Sequence, residues 1–118
     1  MTREKLPTRR PGLLRRLIFG GRPWDVQFGI TWPRGRVAEI FISSTRSASD
    51  IEACARDGAI LASRCLQHGD SIEEMAKSIT REDDGKPTTI IGAALDLVAS
   101  EAKKVAADFG LQGGGLGE

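Results

Sequence analysis

Histidine occurs once in this 118-residue chain, at His68, and cysteine twice, at Cys54 and Cys65. A closed zinc site takes four Cys or His ligands. Cys65 and His68 lie three apart on one helical face, but no second pair completes them, so no metal site is expected. The two cysteines are eleven apart in what reads as one helix. At ~1.5 Å rise per residue they stand ~16 Å apart, beyond the ~7 Å Cα separation a disulfide spans. Both are expected to be buried small hydrophobes in a reducing, cytoplasmic setting. Long apolar runs are also absent. Leu13–Phe19 is split by Arg15 and Arg16, which excludes a secretory signal, and no window approaches a membrane span. An Arg-rich start also suits an organelle transit peptide, but the first 22 residues contain no serine.

What is present is an ordinary globular balance, 40 % hydrophobic and 28 % charged, at a length that fits one domain. The net charge of +1 conceals an asymmetry. Residues 1–22 hold seven Lys or Arg against one acid, a balance of +6, and the remainder holds ten basic and fifteen acidic residues, a balance of −5. A basic arm on an acidic body implies an anionic partner or an arm that folds onto its own domain. Arg9, Arg10, Arg15 and Arg16 are the residues that would meet such a partner, nucleic acid included.

Residues 1–22 read as a basic flexible arm, broken by Pro7, Pro11, Gly20 and Gly21, in which only Leu13–Phe19 could form a short helical turn or a docked strand. Trp24, Val26, Phe28 and Ile30 alternate with Asp25, Gln27, Gly29 and Thr31, as in a half-buried strand. Trp32-Pro33-Arg34-Gly35 reads as a turn, with Gly35 suited to a left-handed position. Residues 36–43 form the return strand. Its Ile40-Phe41-Ile42 centre is apolar on both faces, so this strand is expected to be the more buried of the two.

Ser49 followed by Glu52 is a capping-box pattern that opens a helix over about 50–68, with Gly69 as its stop. Ile51, Cys54, Gly58, Leu61 and Cys65 make its main inward stripe, with Ala55, Ala59, Ala62 and Leu66 beside it. Ser71 and Glu74 start a second helix, about 71–80, and Thr88 or Thr89 caps a third, about 90–109, before a Gly-rich tail at 111–118. The architecture is α+β: a hairpin of about 24–31 and 36–43 on three helices, within a domain of about 23–110. A two-stranded hairpin is marginal alone. A homodimer joined through the hairpins is therefore expected.

Candidate chemistry is sparse. Gly85-Lys86-Pro87-Thr88-Thr89 lacks the earlier glycine of a phosphate loop, and Pro87 stands where a magnesium-binding hydroxyl belongs. Lys86 beside a helix start could still help hold an anion. Glu82-Asp83-Asp84 lacks the ligand spacing of a calcium loop. Asp57, Arg64 and His68 make a catalytic cluster only if folding brings them together, and no catalytic residue is assigned.

Several segments resemble the TSCPD domain, found at the C-terminal side of adenosylcobalamin-dependent (class II) ribonucleotide reductases and as short stand-alone proteins. They are Gly35-Arg36-Val37-Ala38-Glu39-Ile40-Phe41-Ile42, the helix from Ala59 to Gly69, Ser71-Ile72-Glu73-Glu74-Met75 with Ile79, and Ile91-Gly92-Ala93-Ala94-Leu95, within roughly residues 24–98. The Thr-Ser-Cys-Pro-Asp string that names the family is absent. The resemblance implies an accessory or regulatory role in deoxyribonucleotide synthesis, with a reductase or a nucleotide as partner and no cofactor in this chain. Adenosylcobalamin belongs to the larger reductases. The cations that would serve a ligand are Arg34, Arg36, Arg64 and Lys86. The competing reading is a nucleic-acid or acidic-partner module working through the arm.

Overall fold

The computed structural model describes residues 12–31, 35–44 and 49–108. The element order is β1 (Gly12–Phe19), β2 (Arg22–Thr31), β3 (Arg36–Ser44), α1 (Asp50–Gln67), α2 (Ile72–Lys77) and α3 (Ile90–Asp108). The fold is the expected α+β one, and both hairpin strands and all three helices form. Within the segment read as a basic arm, Gly12–Phe19 is a strand, which makes the sheet an antiparallel meander in the order β1-β2-β3. Residues 1–11 and the tail from 109 onward lie outside the described residues, as does Arg34.

The β1–β2 connection explains the extra strand. Phe19 pairs with Arg22 across Gly20 and Gly21, whose φ angles are 61° and 75°. Positive φ at both central residues is what a type I′ hairpin turn demands, and glycine adopts it without steric cost. At the other hairpin Gly35, at φ 71°, donates its N–H to the Thr31 carbonyl at 2.8 Å.

β2 is the central strand, and its alternation is realised. Trp24, Val26, Phe28 and Ile30 are all buried on the helix-facing side. Removing a side chain of this size from water is worth about 1.5–3 kcal/mol. Ile40 and Ile42 sit opposite Phe28 and Val26 on that same side. A bulge between Gly29 and Ile30 then resets the register, so that Val37 also turns inward. Phe41, expected inside, is 48 % exposed on the opposite, open face. Thus β3 is the lateral strand, although about as much of it is buried as of β2.

α1 runs along β3, α3 crosses beneath all three strands, and α2 packs on α3. The caps are those the sequence implies. Ser49 Oγ accepts from Glu52 N–H at 3.2 Å, Ser71 Oγ from Glu74 N–H at 3.1 Å, and Thr89 Oγ1 from Gly92 N–H at 3.0 Å. At the end of α1, Asp70 N–H reaches the Cys65 carbonyl and Gly69 N–H the Leu66 carbonyl. That pair of bonds is the Schellman arrangement.

The face that α1 buries corrects the sequence reading. Ala55, Ala59, Ala62 and Leu66 point into the core, with Glu52, Ser63 and Gln67. The stripe taken as the inward one faces solvent: Ile51 is 57 % and Leu61 64 % exposed, and both cysteines are exposed and free. Alanine lets the helix approach the strand closely, which the larger residues of the other stripe would prevent.

Candidate functional site

The buried polar residues of α1 serve the strand beside it. Ser63 Oγ both accepts from Ile40 N–H and donates to the Ile40 carbonyl, each at 2.9 Å. Gln67 Nε2 donates to the Ala38 carbonyl at 3.1 Å, and a Glu52 carboxylate oxygen accepts from Ser44 N–H at 3.2 Å. These residues close the outer edge of β3.

Arg64 projects from α1 between two surface hollows. One, of about 210 Å³, is walled by Glu39, Phe41, Ile60, Ser63, Arg64 and Gln67. The other, of about 410 Å³, is walled by Leu61, Arg64, Cys65, His68 and Asp70. The first sets a ring and an aliphatic side chain beside a carboxylate and a guanidinium. Glu39 lies over Gly29, one of its oxygens 2.7 Å from where a Cβ would be, so only glycine leaves the carboxylate its seat. The second hollow brings Arg64 and His68 together but not Asp57, so the three-residue cluster considered from sequence is not assembled. Cys65 and His68 share that hollow, yet among the described residues no three His, Cys, Asp or Glu side chains are placed to hold a metal ion.

Of the four cations proposed for a ligand, Arg34 lies outside the described residues, and the other three have different surroundings. Arg36 donates from Nη2 to the Leu66 carbonyl, so its charge caps the C-terminus of α1, where the helix dipole favours a cation. Lys86 lies in the α2–α3 loop beside Asp84, 3.9 Å away, and borders neither hollow. That loop is organised by Arg81. Its guanidinium grips both oxygens of Asp96 at 2.8 Å and donates to the Ala76 and Gly85 carbonyls. The hydrogen bond to Asp96 holds the Arg81 pKa above its ordinary value. The sequence reading missed this clamp, because its partners are separated by fifteen positions.

Two of the arm cations pair with acids of the domain. Arg15 Nε donates to Glu101 on α3 at 2.8 Å, and Arg16 Nε to Asp25 on β2 at 3.2 Å. Their strand therefore folds onto its own domain. Arg9 and Arg10 lie outside the described residues. Among the described residues no helix is long and apolar enough to cross a membrane.

No family profile and no solved structure matches the chain. Curated proteins do, two of them as follows. Over 78 residues the chain is 35 % identical to the vitamin B12-dependent ribonucleotide reductase of Agrobacterium fabrum and 31 % identical to that of Bradyrhizobium diazoefficiens. The matched stretch is 66 % of this chain but 6 % of each reductase, so the chain spans a small fraction of the relatives it matches. About two thirds of this chain is thus similar in sequence to a small part of B12-dependent ribonucleotide reductases.

Proposed function

We propose that this chain is a non-catalytic accessory or regulatory module of the TSCPD type that serves deoxyribonucleotide synthesis by binding a ribonucleotide reductase or a nucleotide. The observation that carries the reading is the 78-residue likeness to a stretch making up 6 % of a B12-dependent reductase. A segment that small relative to the enzyme suits a module that assists the reaction elsewhere. The order of strands followed by small-residue helices supports the same assignment.

The hollow beside Arg64 is where a nucleotide would sit in this reading. Phe41 offers a base its ring face and Arg64 offers a phosphate its charge. Glu39 stands on the same wall and can accept from a base amino group.

The test combines a nucleotide-panel thermal shift with co-purification against a purified B12-dependent reductase. A ligand that binds only the folded chain raises its melting temperature. The expected result is a rise with at least one nucleotide, reduced by Phe41→Ala, or stable co-elution with the reductase. If no nucleotide shifts the transition and the reductase elutes alone, the reading is wrong. Salt-sensitive binding of nucleic acid that is lost on deleting residues 1–11 would instead favour the arm as the working part.

A further inference from the structure

We infer that the outward stripe of α1 is a self-complementary interface on which a second copy of this chain docks, antiparallel, helix against helix. This goes beyond the accessory role proposed above and does not depend on it.

Ile51, Cys54, Gly58, Leu61 and Cys65 recur at alternating spacings of three and four residues. That is the a/d pattern of a helix–helix seam. In the chain itself the stripe is turned to solvent rather than into the core. At its middle Gly58 admits the side chain of Ile91 from α3, which is half-buried and broadens the apolar strip. One flank of the seam is closed by Ala55 and Ala62, which face the chain's own core. The other flank carries Asp57 and Arg64, seven residues apart and both exposed.

Charge sets the direction of docking. An antiparallel partner that places Cys54 against Cys65, and Ile91 over Gly58 against Leu61, brings Asp57 within reach of Arg64 of the second copy. The two-fold axis then repeats the contact, as an isologous interface requires. A parallel partner would set Asp57 against Ala62 of the second copy and form no ion pair. Pairing through the β3 edge is less available. The edge of β3 already has α1 along it, through Ser63, Gln67 and Glu52.

The test is solution mass by sedimentation equilibrium on the full chain, with no nucleotide present because Arg64 also borders the proposed ligand hollow. The expected mass is that of two chains at micromolar concentration. Leu61→Glu should give single chains with an unchanged circular dichroism spectrum, since that side chain is 64 % exposed. Asp57→Arg alone should weaken the dimer on the order of tenfold, and Asp57→Arg with Arg64→Asp should restore it. A short bismaleimide should join Cys54 of one copy to Cys65 of the other. Either Cys54→Ser or Cys65→Ser would then abolish the cross-link, and mixing the two variants would recover it. A single-chain mass at a hundred micromolar overturns the inference. So does a dimer indifferent to Leu61→Glu but dissociated by Phe41→Glu, which would place the contact on the open sheet face.

Discussion

Along β3 the outward-pointing backbone groups meet side chains of α1, whereas along β1 the side chain that answers comes from the strand itself, Arg15 Nη1 donating to the Leu14 carbonyl at 2.9 Å, and charged residues stand guard. An exposed strand edge is a template for unwanted pairing, and proteins blunt it by covering it or by charging it. Both remedies occur here in one three-stranded sheet. On the β3 side the cover is chemically specific: a hydroxyl for the N–H and C=O of Ile40, an amide for Ala38, a carboxylate for Ser44. On the β1 side consecutive arginines point to opposite faces, each tied to an acid, Arg15 to Glu101 and Arg16 to Asp25. The contrast teaches that a polar residue inside an apolar helix face can be the complement of a strand edge rather than a defect in the pattern.

If the β3 cover is specific, removing its central hydroxyl should be the most damaging of these changes. Ser63→Val keeps the shape but leaves the Ile40 N–H and carbonyl buried without a partner. An orphaned buried group costs about 1–3 kcal/mol, and here there are two. A loss of about 2–4 kcal/mol in urea denaturation is expected, at unchanged m-value. Ser63→Thr, which retains the hydroxyl, should cost clearly less. Equal losses for the two variants would show that packing volume, not the edge contact, governs the site.

Glu52 comes next. Its carboxylate accepts from Ser44 N–H and pairs with Arg56, and it sits in the first turn of α1, where the dipole favours an acid. Glu52→Ala should cost about 1–2 kcal/mol, less than Ser63→Val, because Ser49 still caps the helix. The same denaturation series measures it, and a larger loss than for Ser63→Val would invert the ranking.

Much of this was legible in the sequence, and the reasons are local. The β2 alternation, Ser49 with Glu52, Ser71 with Glu74 and the stop at Gly69 all depend on residues within a few positions of one another. The sequence allows Leu13–Phe19 either a helical turn or a docked strand and does not decide between them, because Arg15 and Arg16 interrupt its apolar alternation, and their partners are nine and eighty-six positions away. The Gly20-Gly21 pair between two alternating segments was the signal that could have favoured the strand. The inward face of α1 was misjudged for a related reason. Side-chain size favoured the Ile51–Leu61 stripe, but the neighbouring strand needed small residues for close approach and Ser63 and Gln67 for its edge. Of the candidate site, Arg64 and its helix were identifiable, while the hollow beside Glu39 and Phe41 draws its walls from β3 and α1, whose packing no local pattern announces.

On the β1 side the effects should be smaller in stability and larger in solubility. Arg15→Met removes a half-exposed ion pair, and such pairs contribute about 0–1 kcal/mol. The same change takes one of the charges off an edge strand that also exposes Leu14 and Ile18. Light scattering at raised concentration should therefore show more association for Arg15→Met than for Ser63→Thr, although the melting temperature barely moves. No increase in scattering would mean that the edge is protected by something other than charge.

The smallest effect expected is a pH dependence that isolates the β1 contact. The hydrogen bond from Arg15, and then that from Lys104, holds the Glu101 carboxyl below its ordinary value. A carboxylate that ionises more readily in the folded chain lends stability above the unfolded-state value of about 4.3. That contribution is lost as pH falls through the lower folded value, where Glu101 takes up its proton and the pull on Arg15 disappears. Glu101→Gln cannot ionise at any pH. The stability gap between the native chain and Glu101→Gln should accordingly be level from about pH 7 to 5 and should close below about pH 4. The Ser63→Val deficit, which involves no titrating group, should stay constant over the same range. A Glu101→Gln gap that persists undiminished to the lowest pH at which the chain remains folded would show that the contact with Arg15 acts through packing rather than charge, and the two edges would then be held by more similar means than their residues suggest.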